Sequence, residues 1–314
     1  MKLTVVVPIR NESENVVPFY ERAQKALELL TELEEWSLLF VNNASEDDSL
    51  ERVLALRSTD PRVKVLSLSR DFGYHPALVA GLSAVDSDYY AVVDVDGEDP
   101  PELLVQFYEA IQQGAQVAYG IRSKRDEPPL VTFGRKLFYY ANRQAADSEI
   151  VMWMGEFSMM TRQVRDAILA PKTTFPFLRA ELGYVGFTRA GIPYLRAKRM
   201  HGKSHYNFWR MSRFAIAGIL SSSSFPLRFV LYLAICIGLV FPIVVGVFRL
   251  SAEVAARLAI FCSMYFLLMS IPFIALYLAR AYKNGVARPV YVVDWTKSQL
   301  DVESSLRSKE WLKV

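Results

Sequence analysis

Apolar and polar positions follow two regimes along this chain. Over the first 120 residues, short apolar runs alternate with amphipathic stretches. Residues 3–7, 36–41, 63–68, 89–93 and 116–119 are short and apolar, the pattern of buried strands. Between them, residues 14–30 repeat apolar side chains at Val17, Tyr20, Ala23, Leu27 and Leu30, which is helical spacing. Residues 75–85 and 102–112 read as further helices. Pro8 is expected to end the first strand. This alternation predicts an α/β fold in which a parallel sheet is covered by helices on both faces. In such sheets ligands bind beyond the carboxyl ends of the strands, so the residues just after each strand are the ones to inspect.

The second regime is longer in wavelength. Residues 229–248 and 258–278 carry no charge. At about 1.5 Å per residue each run can cross roughly 30 Å of hydrocarbon. The nine residues between them make a short connection, which predicts an antiparallel transmembrane hairpin. Arg210, Arg213 and Arg228 precede it and Arg280, Lys283 and Arg288 follow it, whereas the connection has only Arg249, Arg257 and Glu253. Cationic flanks favour the cytoplasm, so both ends are expected there. From Leu182 to Ala252 there is no Asp or Glu, while Arg and Lys are interleaved with aromatics. This predicts an amphipathic helix lying on an anionic membrane face. The expected organisation is a cytoplasmic domain over 1–204, a juxtamembrane helix over 205–227, the hairpin over 228–280 and a cytoplasmic tail over 281–314.

Composition narrows the chemistry. With 52% apolar and 22% charged residues the chain can bury a core. A net charge of +3 argues against nucleic acid as a partner. Two cysteines, Cys236 and Cys262, are too few for a disulfide framework or a Cys-rich metal site, and in their apolar runs they read as small hydrophobes. Residues 1–7 are too short an apolar stretch for a secretory leader. His75 and His201 lack the spacing of a zinc pair and read as polar loop residues. Residues 197–204 fit a relaxed phosphate-loop pattern, but their interior is too bulky and basic for close backbone approach to phosphate.

The sharpest chemical signal follows the fourth strand, where Asp94-Val-Asp96-Gly97 places two carboxylates at a sheet edge. In an extended segment, residues two apart point the same way. Two hard oxygen ligands suit Mg²⁺ or Mn²⁺, which bind through few carboxylates plus substrate phosphates. Capping of the helix after Pro100-Pro101 is the alternative use of these side chains.

Several blocks in order carry a resemblance. Val5-Val-Val-Pro-Ile-Arg-Asn-Glu12, Leu68-Ser-Arg-Asp-Phe-Gly73, Ala77-Leu-Val-Ala-Gly-Leu82 and Asp94-Val-Asp96 with Asp99-Pro-Pro101 are similar to successive blocks of family-2 glycosyltransferases. Arg199-Met-His-Gly-Lys-Ser204-His-Tyr206 and Arg288-Pro-Val-Tyr291 resemble blocks of its polyprenyl-phosphate sugar transferases. The resemblance implies a Rossmann-like A-type glycosyltransferase domain followed by the two-helix hairpin. It implies Mg²⁺ or Mn²⁺ at Asp94 and Asp96, and a nucleotide sugar bordered by Pro8, Arg10, Glu12, Asn43, Asp71, Asp94 and Arg122. It implies a polyprenyl phosphate held by Arg135, Arg199, Ser204 and His205, with Asp96 and Glu156 as catalytic residues.

Departures from the family pattern bear on these roles. Asn42 and Asn43 stand where the pattern has two acids, and a plain turn is their alternative reading. Glu156 stands for an Asp in Gly155-Glu-Phe-Ser158, and Ser158 for an Arg. A surface carboxylate at a strand start is the other reading of Glu156. The activity implied is inverting transfer of a hexose, with glucose from UDP expected, to undecaprenyl phosphate at the inner membrane. GDP-mannose is the alternative donor, and a non-catalytic membrane scaffold the alternative role. A homo-oligomer is left open.

Overall fold

The computed structural model describes residues 1–122, 154–171, 173–197 and 223–300. The chain divides into two compact units. Among described residues, one unit holds 1–122, 154–171, 173–197 and 289–300, and the other holds 223–288.

The first unit is a three-layer α/β structure. Its strands are β1 (Lys2–Ile9), β2 (Glu35–Asn42), β3 (Val63–Ser67), β4 (Tyr89–Val92), β5 (Val117–Arg122), β6 (Met154–Thr161) and β7 (Arg189–Tyr194). Its helices are α1 (Ser13–Glu28), α2 (Ser49–Thr59), α3 (Tyr74–Ala84), α4 (Leu104–Gln112, entered through a 3₁₀ turn at Pro101–Leu103), α5 (Arg162–Leu169) and α6 (Leu178–Tyr184). The sheet order is β3-β2-β1-β4-β6-β5-β7. Strand alternation assigns side chains to two cores. Val5, Val7, Leu38, Phe40 and Val65 pack with Val16 and Phe19 of α1, Val53 of α2 and Phe107 of α4. Val6, Leu39, Val41 and Leu66 pack with Leu78 and Leu82 of α3, Val164 of α5 and Leu178 of α6. Gly81 lets α3 approach this second face: a Cβ there would lie 2.4 Å from Val6 Cγ1 and 2.8 Å from Val41 Cγ2.

Two expectations are corrected here. The sheet is mixed rather than parallel, because β6 runs antiparallel to both β4 and β5. Pro8 does not end β1 but pairs with Val41 inside it. Pairing with β4 stops at Val6, so Pro8 sits where β1 has β2 alone as a neighbour.

The chain segment after the hairpin returns to this unit. Val65 and Gln299 exchange backbone hydrogen bonds of 2.8 and 3.0 Å, Ser69 N donates to Val292 O at 2.9 Å, and Asp294 N donates to Ser67 O at 2.8 Å. The tail thus covers the outer edge of β3.

The second unit contains α7 (Phe225–Val247) and α8 (Ala252–Val286), both long and apolar enough to cross a membrane. Their most apolar stretches bury 0% and 6% of their residues, so these are not the helices of a soluble core. Pro226 in the first turn is compatible with a helix start. Ser251 caps α8 through Val254 N, and Ala287 ends it in the left-handed conformation. Phe229 and Phe273 meet edge to face at 6.3 Å, and Tyr277 donates to Ser223 O at 2.6 Å. The connection is tighter than the nine residues expected: Arg257 and Glu253 lie in the first turns of α8, and Arg249 takes a left-handed φ of 45° in the turn. α7 also begins inside the stretch assigned to the juxtamembrane helix. Most of that stretch, 205–222, lies outside the described residues.

Candidate active site

The sheet order reverses around β1, which has β2 and β3 on one side and β4 on the other. The carboxyl ends of these strands carry Arg10, Asn42, Asn43 and Asp94, and the loop after β3 carries Asp71.

Asp94 follows β4 by one residue beyond buried Val93 and accepts from the Tyr74 hydroxyl at 2.8 Å. Burial, with Asp99, Asp96 and Glu156 close by, pushes its carboxyl up to about 7, against the hydrogen bond from Tyr74. No Lys or Arg is paired with Asp94 among the described residues. Asp96 lies in the following turn, where its carboxylate accepts from Glu98 N at 3.0 Å. This is an Asx turn, not the extended geometry expected, and it is not a cap of the helix after Pro100. Asp99 is buried and receives the Tyr194 hydroxyl and Arg122 Nη2, the latter at 3.4 Å. The Tyr194 hydroxyl is pushed up by burial and by Asp99. Arg196 pairs with Glu98, and Ala197 N donates to Glu98 O at 3.0 Å.

Glu156 is the third residue of β6. Its side chain is 14% exposed, and Oε2 receives Arg179 Nη2 at 2.8 Å. Burial pushes this carboxyl up, but Arg179, His75 and the hydrogen bonds it accepts together outweigh it, and the net displacement is downward. The reading of Glu156 as a surface carboxylate is therefore wrong. Ser158 is fully buried and donates to Glu156 O at 3.0 Å. His75 is not a loop residue: it lies in the first turn of α3, its ring 4.8 Å from that of Phe177, and burial pushes its imidazole down.

Asp94 itself has no cationic partner among the described residues while Asp99, Asp96 and Glu156 lie close by, so Asp94 together with Asp96 could hold a divalent cation. Each acid that is already balanced has its guanidinium: Asp99 has Arg122 and Glu156 has Arg179.

Residues 4–169, just over half of the chain, match the description of glycosyl transferase family 2. The chain belongs to that family. The uncharacterized glycosyltransferase YkcC of Bacillus subtilis is 30% identical over 309 residues, covering 93% of each chain. The bactoprenol glucosyl transferase of Shigella phage SfV is 31% identical over 304 residues, covering 93% of this chain and 98% of its own. The prophage bactoprenol glucosyl transferase homolog of Escherichia coli is 30% identical over 308 residues, covering 95% and 100%. A solved glucosyl-3-phosphoglycerate synthase of Mycobacterium tuberculosis, with Mn²⁺, UDP and glucosyl-3-phosphoglycerate, is 20% identical, with a TM-score of 0.47 over 70% of this chain and 79% of its own. By its family this protein is a glycosyltransferase, and its own sheet gives it a Rossmann-like α/β fold.

Within that glycosyltransferase the structure gathers Arg10, Asn43 and Asp71 in one cluster. Asn43 Nδ2 donates to Asp71 at 2.7 Å, Asn43 Oδ1 accepts from Phe72 N at 3.0 Å, and Arg10 pairs with Asp71. Asp71 also accepts from Gly73 N at 2.8 Å. Asn43 and Asp71 therefore hold the loop over 71–73 in place. Glu12 accepts from Asn15 at 2.6 Å at the start of α1, and Pro8 lies within β1. Arg122 ends β5 rather than following it. Arg135, Arg199, Ser204 and His205 lie outside the described residues. Sequence reading missed Tyr74, Arg179 and Tyr194. Tyr74 directly follows a recognised block, but nothing local marks Arg179 or Tyr194.

Proposed function

We propose that this enzyme transfers a hexose, glucose from UDP in the first instance, to a polyprenyl phosphate at a membrane face. The observation that carries the reading is the acid cluster around Asp94 and Asp96 in a chain that also has two apolar helices with almost no buried residues. The named bactoprenol glucosyl transferases that match over 93–95% of the chain support the same acceptor class. Described residues on both sides of the hairpin, 173–197 and 289–300, belong to one unit, which supports both hairpin ends lying on one side of the bilayer. The cationic flanks favour the cytoplasmic side.

The residues divide the work as follows. Asp94 and Asp96 would hold Mg²⁺ or Mn²⁺, which supplies charge neutralisation for the departing nucleoside diphosphate. Arg10 and the loop pinned by Asn43 and Asp71 border the nucleotide. A phosphate monoester is already largely dianionic near neutral pH, with a second pKa of about 6, so the acceptor needs no strong base. What it needs is cationic charge and orientation. Arg135, Arg199, Ser204 and His205 are assigned to that task. Single displacement by the phosphate oxygen at the anomeric carbon would invert its configuration.

The test uses the full chain in detergent with undecaprenyl phosphate, Mn²⁺ or Mg²⁺, and UDP-, GDP- and dTDP-sugars in parallel. A glycolipid from one donor, lost in Asp94→Asn, is the expected result. No glycolipid from any donor refutes the reading.

A further inference from the structure

The Glu156–Arg179 pair does something the transfer step does not ask of it. Three observations bear on it. First, Glu156 spends only one oxygen: Oε2 takes the Arg179 bond at 2.8 Å, while Oε1 is buried with no hydrogen-bond partner among the described residues. An ionised carboxylate only accepts, so the unspent oxygen requires an O–H or N–H from outside the protein. Left unmet, a buried acceptor costs free energy that a ligand hydroxyl recovers. Second, the pair is built in from two elements: Glu156 comes from β6 and Arg179 from α6, whose N-cap Phe177 packs on His75 of α3. That scaffold also carries Tyr74, the partner of Asp94, so the free oxygen is fixed relative to the metal-binding acid. Third, the guanidinium holds the carboxyl below its ordinary range, which makes Glu156 a poor proton acceptor near neutral pH. The acceptor phosphate requires no such base.

We infer that Glu156 is a specificity-determining residue that reads one hydroxyl of the donor sugar through Oε1, and that Arg179 is the positioning residue that fixes which oxygen is offered. A hydroxyl ring substituent is the group a nucleotide sugar presents next to its diphosphate, and a charged acceptor discriminates strongly against its absence. The inference rests on the proposed transferase reading, and it makes Glu156 a reader of the sugar.

The experiment compares UDP-glucose with its 2-, 3-, 4- and 6-deoxy analogues in wild type and in Glu156→Gln, which keeps side-chain length and an acceptor for Arg179. In wild type one analogue should fall about ten- to hundredfold in kcat/KM below UDP-glucose, the worth of a hydrogen bond to a charged group. Glu156→Gln should lower UDP-glucose by a similar factor and leave that one analogue within about twofold. Arg179→Lys should give an intermediate pattern on the same analogue. Equal loss on all five donors, as for a base, or no loss on any, overturns the inference. Donor Kd by calorimetry with Mn²⁺ is measured alongside. Selective binding without glycolipid formation would sink the transferase reading and keep this one. Uniform binding with normal glycolipid formation would do the reverse.

Discussion

Substituting Asp94 by Asn should stabilise the metal-free protein at alkaline pH while abolishing its activity. The reason lies in the acid cluster. The Asp94 carboxyl is pushed from an ordinary 3.8 to about 7 by burial and by Asp99, Asp96 and Glu156. Between those two values the folded state carries a proton that the unfolded chain has lost, so folding stability falls as pH rises through this window. Above pH 7 the full cost is present. At about 1.4 kcal/mol per pH unit, a displacement of this size corresponds to about 4 kcal/mol. Asn cannot ionise, yet its amide oxygen still accepts from the Tyr74 hydroxyl. The variant should therefore melt roughly 10 °C above wild type at pH 8 with chelator present, taking a few degrees per kcal/mol for a domain of this size. At pH 5, just over one pH unit above the unfolded value of 3.8, the gap should shrink to about 4 °C, because only about 1.6 kcal/mol of the cost has accrued there. Saturating Mn²⁺ should raise the melting point of wild type at pH 8 and not that of the variant. The assay is thermal unfolding of the detergent-solubilised chain at both pH values, with and without metal. If Asp94→Asn melts below wild type at pH 8, the carboxylates do not strain one another and the cation-site argument is refuted.

Other perturbations test separate parts of the structure. Asp96→Asn should reduce glycolipid formation on the order of 10³-fold, since loss of metal stabilisation is worth several kcal/mol; a residual rate above one tenth of wild type would exclude Asp96 as a ligand. Gly81→Ala should cost about 1–3 kcal/mol in thermal or denaturant unfolding, because the new methyl would press into Val6 and Val41. Tyr194→Phe removes the hydroxyl that Asp99 accepts while leaving the ring on Phe157, whose centroid is 5.7 Å away. A loss of about 1.5–3 kcal/mol in the same unfolding measurement is expected, as for other hydrogen bonds to buried charges.

Local pattern was enough for the first five strands because each is a short apolar run with its own turn chemistry. It was not enough for their order. β6 slots antiparallel between β4 and β5, and nothing in Met154–Thr161 itself specifies those neighbours. The prediction that all strands run parallel failed for that reason. The site divides the same way. Asp94 and Asp96 were legible because they follow a strand, and strand ends are where ligands bind in this class. Tyr74 and Arg179 were not, since each finds its acid only through tertiary packing, 20 residues away for Tyr74 and 23 for Arg179. Tyr194 reaches Asp99 across 95 residues. The two apolar helices were legible from composition alone, but the shortness of their connection was not, because a helix can begin with charged residues in its first turn.

The tail that covers β3 sets an order of events during synthesis. Ser67 N meets the Ser298 hydroxyl 231 residues further along. At about 5–20 residues per second, the outer edge of β3 waits on the order of 10–50 s for its cover. Through that interval the apolar helices are being made while the nascent sheet offers unsatisfied backbone amides to any passing strand. The five-residue length of β3 keeps that template small. The last step in assembling the α/β unit is thus tied to completion of the two apolar helices, and a ribosome that stalls between the two leaves a sheet with an open flank.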